Sequence, residues 1–509
     1  MAKDIPNSVQ TVIGLRLGGS LDGIDAALTS VRFADDGDVT LDAIHSHRTI
    51  PIPDRLRTAL KELSKTVDLE ELSRLNFRVG IEFAHAALQT LADAGMTLKN
   101  VDLCALSGYS AIENFARKDI QIGFDLGHSN LLTVGDPSVV SEALGLPVAA
   151  AFDSGVLAAG GNRLDVFARA ERALFQYPDD SVALVTLGGI VRMATIPSAA
   201  SRQPMQKWEV CPGMIFHDEL VAKATIGDHQ TDANGELSSR GELHYKTLKY
   251  LMSHESQQQK PPRLLPRRYV AGRYFVDFWT ENVSRDVRPS DMITSMSIFI
   301  AQAVARDFVN IARPQLGDIS TLVVSGGGAN NAYIAARLQT ELSRLGEFSI
   351  MSSADFNIPH EALGAISTAI VGALRYAELP NVVTLGAGNV VRAGTLTLPS
   401  ERAQELNRTM TSDDLASRIR QFRDHGFDHF NIESAGKPSA PDASTPQPKA
   451  LAHETQRLDI ADLPLSRRAT DAGLGKQNAS QRPDGATQPK PDSVMIDLSS
   501  LDDEMPPKL

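Results

Sequence analysis

Only two cysteines, Cys104 and Cys211, occur in the 509 residues. That scarcity excludes a disulfide framework and a four-cysteine zinc site, and both residues stand in apolar company, which reads as buried thiols. Positive charge is also in deficit: 50 Lys and Arg against 62 Asp and Glu leave a formal net charge of −12. A nucleic-acid backbone needs clustered cations, so nucleic acid is not an expected partner. No run of about 18 apolar residues occurs, and the opening MAKDIPNSVQ lacks the apolar core of a signal peptide. A cytoplasmic protein with no membrane partner is expected.

Several catalytic signatures are missing as well. There is no GxxxxGK(S/T) phosphate loop and no GxGxxG after a strand. GGSLD (Gly18–Asp22) falls short of the nucleophile elbow GxSxG because Asp22 stands where the second glycine belongs, which sets a serine hydrolase aside. His-Glu pairs begin at His254, His360 and His453, and none is followed by a second histidine at metalloprotease spacing.

What is present is an alternation of short apolar runs and amphipathic stretches. Strands are expected at Thr11–Leu17, Val101–Leu106, Ser181–Leu187 and Thr321–Val324. Helices are expected at Asp54–Lys65, Ile81–Ala94, Ser290–Ala312, Ala332–Arg344, His360–Ala377 and Asp413–Asp424, the last capped by Thr411 or Ser412. Strands separated by helices predict an α/β fold with partly parallel sheets. From Ala435 to Leu509 the composition shifts. This segment holds ten of the chain's 27 prolines and few aromatics, so it is expected to be disordered. Within it, SVMIDLSSLDDEM (Ser493–Met505) mixes acidic and apolar residues and has the form of a short docking motif.

Two apolar–Gly-Gly–apolar segments, TVIGLRLGGSLDGIDAAL and SVALVTLGGIVRMATIP, stand about 170 residues apart and suggest a duplicated fold with a cleft between two lobes. A glycine-tipped hairpin can bring backbone N–H groups against phosphate oxygens because no Cβ blocks the approach. Gly18, Gly19, Ser20, Leu21, Gly23 and Ile24 form such a loop in the first half, and Gly188 and Gly189 form one in the second. Asp22 and Asp25 supply hard oxygens suited to Mg²⁺. A third cluster, Gly326, Gly327, Gly328 and Asn330, lies between a strand and a helix, a placement that suits an adenosine or its α-phosphate. Each element alone also fits an ordinary turn; together they favour nucleotide binding.

In order along about 390 residues, these segments resemble the anhydro-N-acetylmuramic acid kinase family, within the sugar kinase, Hsp70 and actin superfamily. GGSLDGIDAAL is similar to its GTSxDGxD loop, VGDPSVV (Val134–Val140) to IGDPxxIA, LAAGGN (Leu157–Asn162) to AAGGQG and TLGGIVRMATIP to NIGGIANxTxLP. CPGMIFHD (Cys211–Asp218) resembles the tail of DTGPGNxxxD, and TDANGELSSRG (Thr231–Gly241) the Asp-Gly-Ala-Gly segment. AGR (Ala271–Arg273), SGGGANN, HEA (His360–Ala362) and LGAGN (Leu385–Asn389) complete the series.

The resemblance implies a two-lobed actin-like ATPase fold of ribonuclease H-like lobes around a central nucleotide cleft. It divides the chain into a first lobe (8–175), a second (176–400), a helical extension (401–434) and the tail (435–509). It also implies ATP and Mg²⁺ as cofactors with Asp22 organising the metal, phosphotransfer to an anhydro amino sugar, and leaves room for a homodimer. The family's catalytic aspartate stands two residues before AAGG, where this chain has Val156. The sugar-side GxHGQTxxH region reads LSGYSAIEN (Leu106–Asn114), DTGPGN reads EVCPGM, and the GQGAPL continuation reads GNRLDV. Asp153, one helical turn before Val156, is the candidate substitute base; Asp165 follows the AAGG segment. The alternative reading is a nucleotide- or sugar-binding sensor without turnover.

Overall fold

The computed structural model describes residues 8–34, 37–63, 68–114, 129–265, 287–317, 319–385 and 388–425. The AGR segment, Gly386 and Ala387 of LGAGN, and the whole 435–509 tail with its docking motif lie outside them.

Two sheets repeat one topology. In the first, β1 (Val9–Leu17), β2 (Gly23–Phe33) and β3 (Val39–Pro51) run as an antiparallel meander. β1 also pairs in parallel with β4 (Leu103–Ser107). After a small hairpin of β5 (Tyr109–Asn114) and β6 (Asn130–Val134), β7 (Val148–Ala150) adds parallel to β4. In the second sheet, β8 (Val182–Leu187), β9 (Ile190–Ile196) and β10 (Gln206–Pro212) repeat the meander. β11 (Thr321–Ser325) and β12 (Ser349–Ser352) then add in parallel beyond β8. A two-stranded ribbon of β13 (Val382–Val383) and β14 (Val390–Val391) follows, and β15 (Thr395–Thr397) returns antiparallel to β7. The sequence repeat is thus a structural one, and the α/β class is the one observed.

Both faces of each sheet are covered, which is why the strands read as nearly continuous apolar runs. The helix Leu69–Asp93 packs on the outer face of the first sheet through Val79, Phe83, Ala87 and Leu91. The helices Met214–Ala224, Pro289–Asp307 and Ala332–Leu345 cover the outer face of the second. Between the sheets lie Ala168–Phe175 and Leu363–Tyr376, in one core with Val12, Ala105, Val182, Leu184 and Val323. The inner helix sits very close to β1: a Cβ on Gly14 would stand 2.0 Å from the Ala365 carbonyl oxygen, so only glycine fits there.

Caps mark several helix starts. Asp68 accepts from Glu70 N at 3.1 Å, Asp136 from Ser138 N at 2.8 Å, and Asn331 from Ile334 N at 3.1 Å. Thr411, rather than Ser412, caps the last helix, Ser412–His425, and exchanges bonds with Asp414. The long helix begins at Leu69, twelve residues before the expected Ile81. Its first turns bury little except Leu75 and Val79, and their partners, Met410 and Leu415, come from the distant end of the chain. Local periodicity carries no record of such a partner. The span Pro289–Leu316 is long and apolar enough in composition to cross a membrane, but 83% of that stretch is buried within the protein.

One buried charge in the long helix has a measurable consequence. Glu82 is 8% exposed, and burial, opposed by Arg78, pushes its carboxyl up to about 7. A carboxyl whose folded pKa is raised adds stability below its unfolded pKa and loses that contribution as pH rises through the folded value. Glu82→Gln cannot ionise. It is expected to match the wild type near pH 4.5 and exceed it in denaturant midpoint at pH 8; a constant difference between the two pH values would contradict this.

Candidate active site

The two Gly-Gly turns occupy the same place in the repeated sheets, at the tips of β1–β2 and β8–β9. Each is held from behind. Arg57, on the helix Asp54–Glu62, donates from Nε to the Leu21 carbonyl at 2.9 Å and from Nη2 to the Asp22 carbonyl at 3.4 Å. In a trans peptide the carbonyl and the following N–H point opposite ways, so the N–H groups of Asp22 and Gly23 face away from Arg57. The second turn is held by a helix start: Met214 N donates to the Gly188 carbonyl at 2.9 Å, and Gly213 N to the Gly189 carbonyl at 3.1 Å. That turns the Gly189 N–H away from the helix Met214–Ala224.

The glycines divide by what surrounds them. A Cβ on Gly18 or Gly188 would meet nothing closer than 3.7 or 3.6 Å, and one on Gly327 nothing within 4 Å. Each cluster therefore offers one open glycine. The others are needed for packing: a Cβ on Gly189 would strike Ile215, one on Gly23 the Ile50 carbonyl, and one on Gly326 or Gly328 would strike Leu187. Leu187 ends β8, so the third glycine cluster rests directly on the second hairpin. Leu21 and Ile24 bury their side chains in the outer core, which limits their part in the loop to backbone. Ser20 Oγ donates to Asp22 Oδ1, tying the exposed aspartate to the turn.

The hairpins meet through carboxylates. Asp218, one turn into the helix Met214–Ala224, has its pKa raised by burial, with the charges of Asp22 and Glu219 adding to the rise and His217 opposing it. Its Oδ1 is buried with no hydrogen-bond partner among the described residues and lies 3.9 Å from His217 Nδ1. Asp25 stands on the rung below the first turn, opposite Arg16 and Thr49. Burial raises its pKa to about 6; Arg16 and a 2.8 Å bond from Thr49 oppose this, while Asp22 and Glu361 add to it. Glu361 accepts a bond from Asn330 of the third glycine cluster. Asp22, Asp25, Asp218, Glu361 and Asn330 thus form one neighbourhood drawn from both halves. Among the described residues no three His, Cys, Asp or Glu side chains are arranged to enclose a metal.

The residues at the base position lie elsewhere. Val156 is fully buried in the inner core, and a Cβ on Gly161 would stand 2.7 Å from both Val156 Cγ1 and Asp165 Oδ2. Packing closes this position. Asp165 is itself buried; it accepts from Asn162 N at 2.9 Å and from the Leu385 backbone, so it pins a loop. Asp153 is half-buried on the same short helix, Phe152–Ala158, and is not among the charges acting most strongly on Asp25 or Asp218.

The departures from the family motifs converge. Arg163 of GNRLDV pairs with Glu113 of LSGYSAIEN and with Glu209 of EVCPGM. Arg163 reaches Glu209 at 3.2 Å (Nε to Oε1) and 2.7 Å (Nη2 to Oε2), and Leu265 N donates to Oε2 at 2.7 Å. Arg192 approaches the same carboxylate. Sequence reading recovered the glycines but passed over Asp218, Glu361, Arg57 and Arg192 as site residues. Asp218 ends a quoted motif; nothing local distinguishes the others, because their partners come from other segments.

A family profile described as Anhydro-N-acetylmuramic acid kinase matches residues 10–397. The chain is 27% identical over 364 residues to an anhydro-N-acetylmuramic acid kinase of Caldanaerobacter subterraneus subsp. tengcongensis, covering 71% of this chain and 89% of the relative. It is 26% identical over 402 residues to the one of Salinibacter ruber, covering 77% and 97%. Among solved structures, a ROK hexokinase from Thermus thermophilus aligns at 15% identity and a TM-score of 0.28, over 71% of this chain and 98% of its own. A hexokinase from Schistosoma mansoni aligns at 13% and 0.30, over 72% and 86%. With a profile match spanning both sheets and all three glycine clusters, the chain belongs to the anhydro-N-acetylmuramic acid kinase family.

Proposed function

We propose that the protein transfers a phosphoryl group from Mg·ATP to a hydroxyl of an anhydro amino sugar. The observation that carries this reading is the meeting of the two hairpins: Asp22 on the first and Asp218, next to the second, act on each other across the cleft, with the third glycine cluster stacked behind. The family membership and the names of the relatives supply the acceptor class.

Mg·ATP would supply the transferable group and a charge-neutralising cation. The chain's residues fit it. The open faces at Gly18, Gly188 and Gly327 and the outward N–H groups of Asp22, Gly23 and Gly189 suit phosphate oxygens. Asp22 and the unpartnered Asp218 oxygen suit Mg²⁺, which takes one or two carboxylates and completes its shell with phosphate and water. Catalysis then rests on positioning and charge stabilisation. Asp153 is the candidate to accept the acceptor's proton.

The test is calorimetric titration of Mg·ATP, followed by ADP release with 1,6-anhydro-N-acetylmuramic acid and other amino sugars, repeated with Asp153→Asn. Binding with sugar-dependent ADP release is expected, with turnover reduced at least tenfold in D153N. Unchanged turnover in the variant removes Asp153 from the reaction. Mg·ATP binding without release on any sugar is the signature of a sensor, and no binding overturns the proposal.

A further inference from the structure

The rung below each glycine turn carries an arginine, and the two are treated differently. In the first sheet Arg16 faces Asp25 across the ladder. In the second the equivalent rung pairs Thr186 with Arg192, and Arg192 in turn pairs with Glu209 on β10. Glu209 is already committed, with two bonds from Arg163 and one from Leu265 N. Arg192 Nε stands 3.6 Å from Glu209 Oε1, beyond hydrogen-bond range, and is buried with no partner. The side chain is only 22% exposed, yet its guanidinium makes no hydrogen bond among the described residues.

Buried guanidinium donors are ordinarily satisfied, because an unmet charged donor forfeits its hydration without return. Lys207 adds positive charge nearby and is itself held by Glu171. The location is equally specific. Arg192 lies three residues beyond Gly189, roughly 10 Å along a strand, and an extended arginine spans much of that distance. A sugar with one hydroxyl at the hairpin tip would bring a substituent on its far side to the guanidinium.

We propose that Arg192 receives a carboxylate of the acceptor and selects acidic over neutral amino sugars. This deepens the phosphotransfer reading and rests on it. A planar guanidinium with open donors matches a carboxylate in a two-bond geometry, which an ester cannot reproduce. Arg163 keeps Arg192 available by holding Glu209 away from it.

The test titrates the full-length protein with 1,6-anhydro-N-acetylmuramic acid and with its methyl ester, in the wild type, Arg192→Gln and Arg192→Lys. The wild type is expected to bind the acid about 10- to 100-fold more tightly than the ester, the range of a charge-assisted hydrogen bond. R192Q should bring the two within about threefold, by that same scale, and R192K should recover part of the preference. Mg·ATP affinity should be the same in all three proteins. Equal binding of acid and ester by the wild type, binding of neither, or a preference that survives in R192Q overturns the assignment. Loss of Mg·ATP binding in the wild type counts against the phosphotransfer reading instead, so the two failures are read separately.

Discussion

Asp22→Asn is expected to lower turnover about 10²- to 10³-fold, the cost of removing one preorganised electrostatic contact in a phosphoryl-transfer site, while leaving the protein folded. The exposed carboxylate lies at the tip of the first hairpin, fixed by Ser20, and faces Asp218 across the cleft. An asparagine keeps an acceptor oxygen for Ser20 and loses the charge. Asp22 raises the pKa of both Asp25 and Asp218, so its charge is unfavourable to these neighbours in the empty protein. D22N should therefore be as stable as the wild type or more so, and its turnover should need more Mg²⁺. Steady-state ADP release measured against Mg²⁺ concentration, beside a denaturation curve, separates the cases. Full turnover at low Mg²⁺ removes Asp22 from the metal's shell; lost stability with lost turnover makes the residue structural.

The second large effect concerns folding. Arg163→Ala should cost about 3–5 kcal/mol, the range for breaking a buried ion pair from one side. Arg163 is 7% exposed and its partners Glu113 and Glu209 are 9% and 0% exposed. The truncation leaves two carboxylates in a poorly hydrated place, with only Arg192 close enough to answer one of them. If Arg192 moves onto Glu209, the preference for an acidic acceptor falls as well, which ties this variant to the assignment of Arg192. Removing charge from both sides in Glu113→Leu with Arg163→Met should recover part of the loss, because apolar groups of similar volume carry no desolvation penalty. Denaturant midpoints of the single and double variants provide the measurement. A cost below about 1 kcal/mol for R163A, the level of an exposed pair, would show that water reaches the cluster.

The glycine turns, the repeat and the α/β class were legible because each is written in contiguous residues. An apolar run that ends in Gly-Gly and resumes is a hairpin wherever it occurs, and finding the same design at Leu17–Gly19 and Leu187–Gly189 was enough to expect two like halves. Helices with strong periodicity, such as Ala332–Leu345, were placed to within a residue. Leu69–Asp93 was half missed because its first turns pack on Met410 and Leu415, and an element whose partner is more than 300 residues away shows no local signature of burial.

Spacing also suggested that Asp153 shares a face with Val156, a rule that holds for an isolated helix. In the protein that turn is packed against Gly161, so Val156 turns inward while Asp153 stays half-exposed.

By itself, then, the sequence determined the class of fold, the two hairpins, the glycine clusters and the family, since these depend on backbone conformation and on order along the chain. Only the tertiary structure decided which glycines stay open and which are needed for packing, because that depends on the neighbours a Cβ would meet. It also decided that Asp218 answers Asp22, and that four substitutions in separate motifs meet as Glu113, Arg163, Arg192 and Glu209. Charges act through space over a few ångströms, and only the fold sets which charges lie that close.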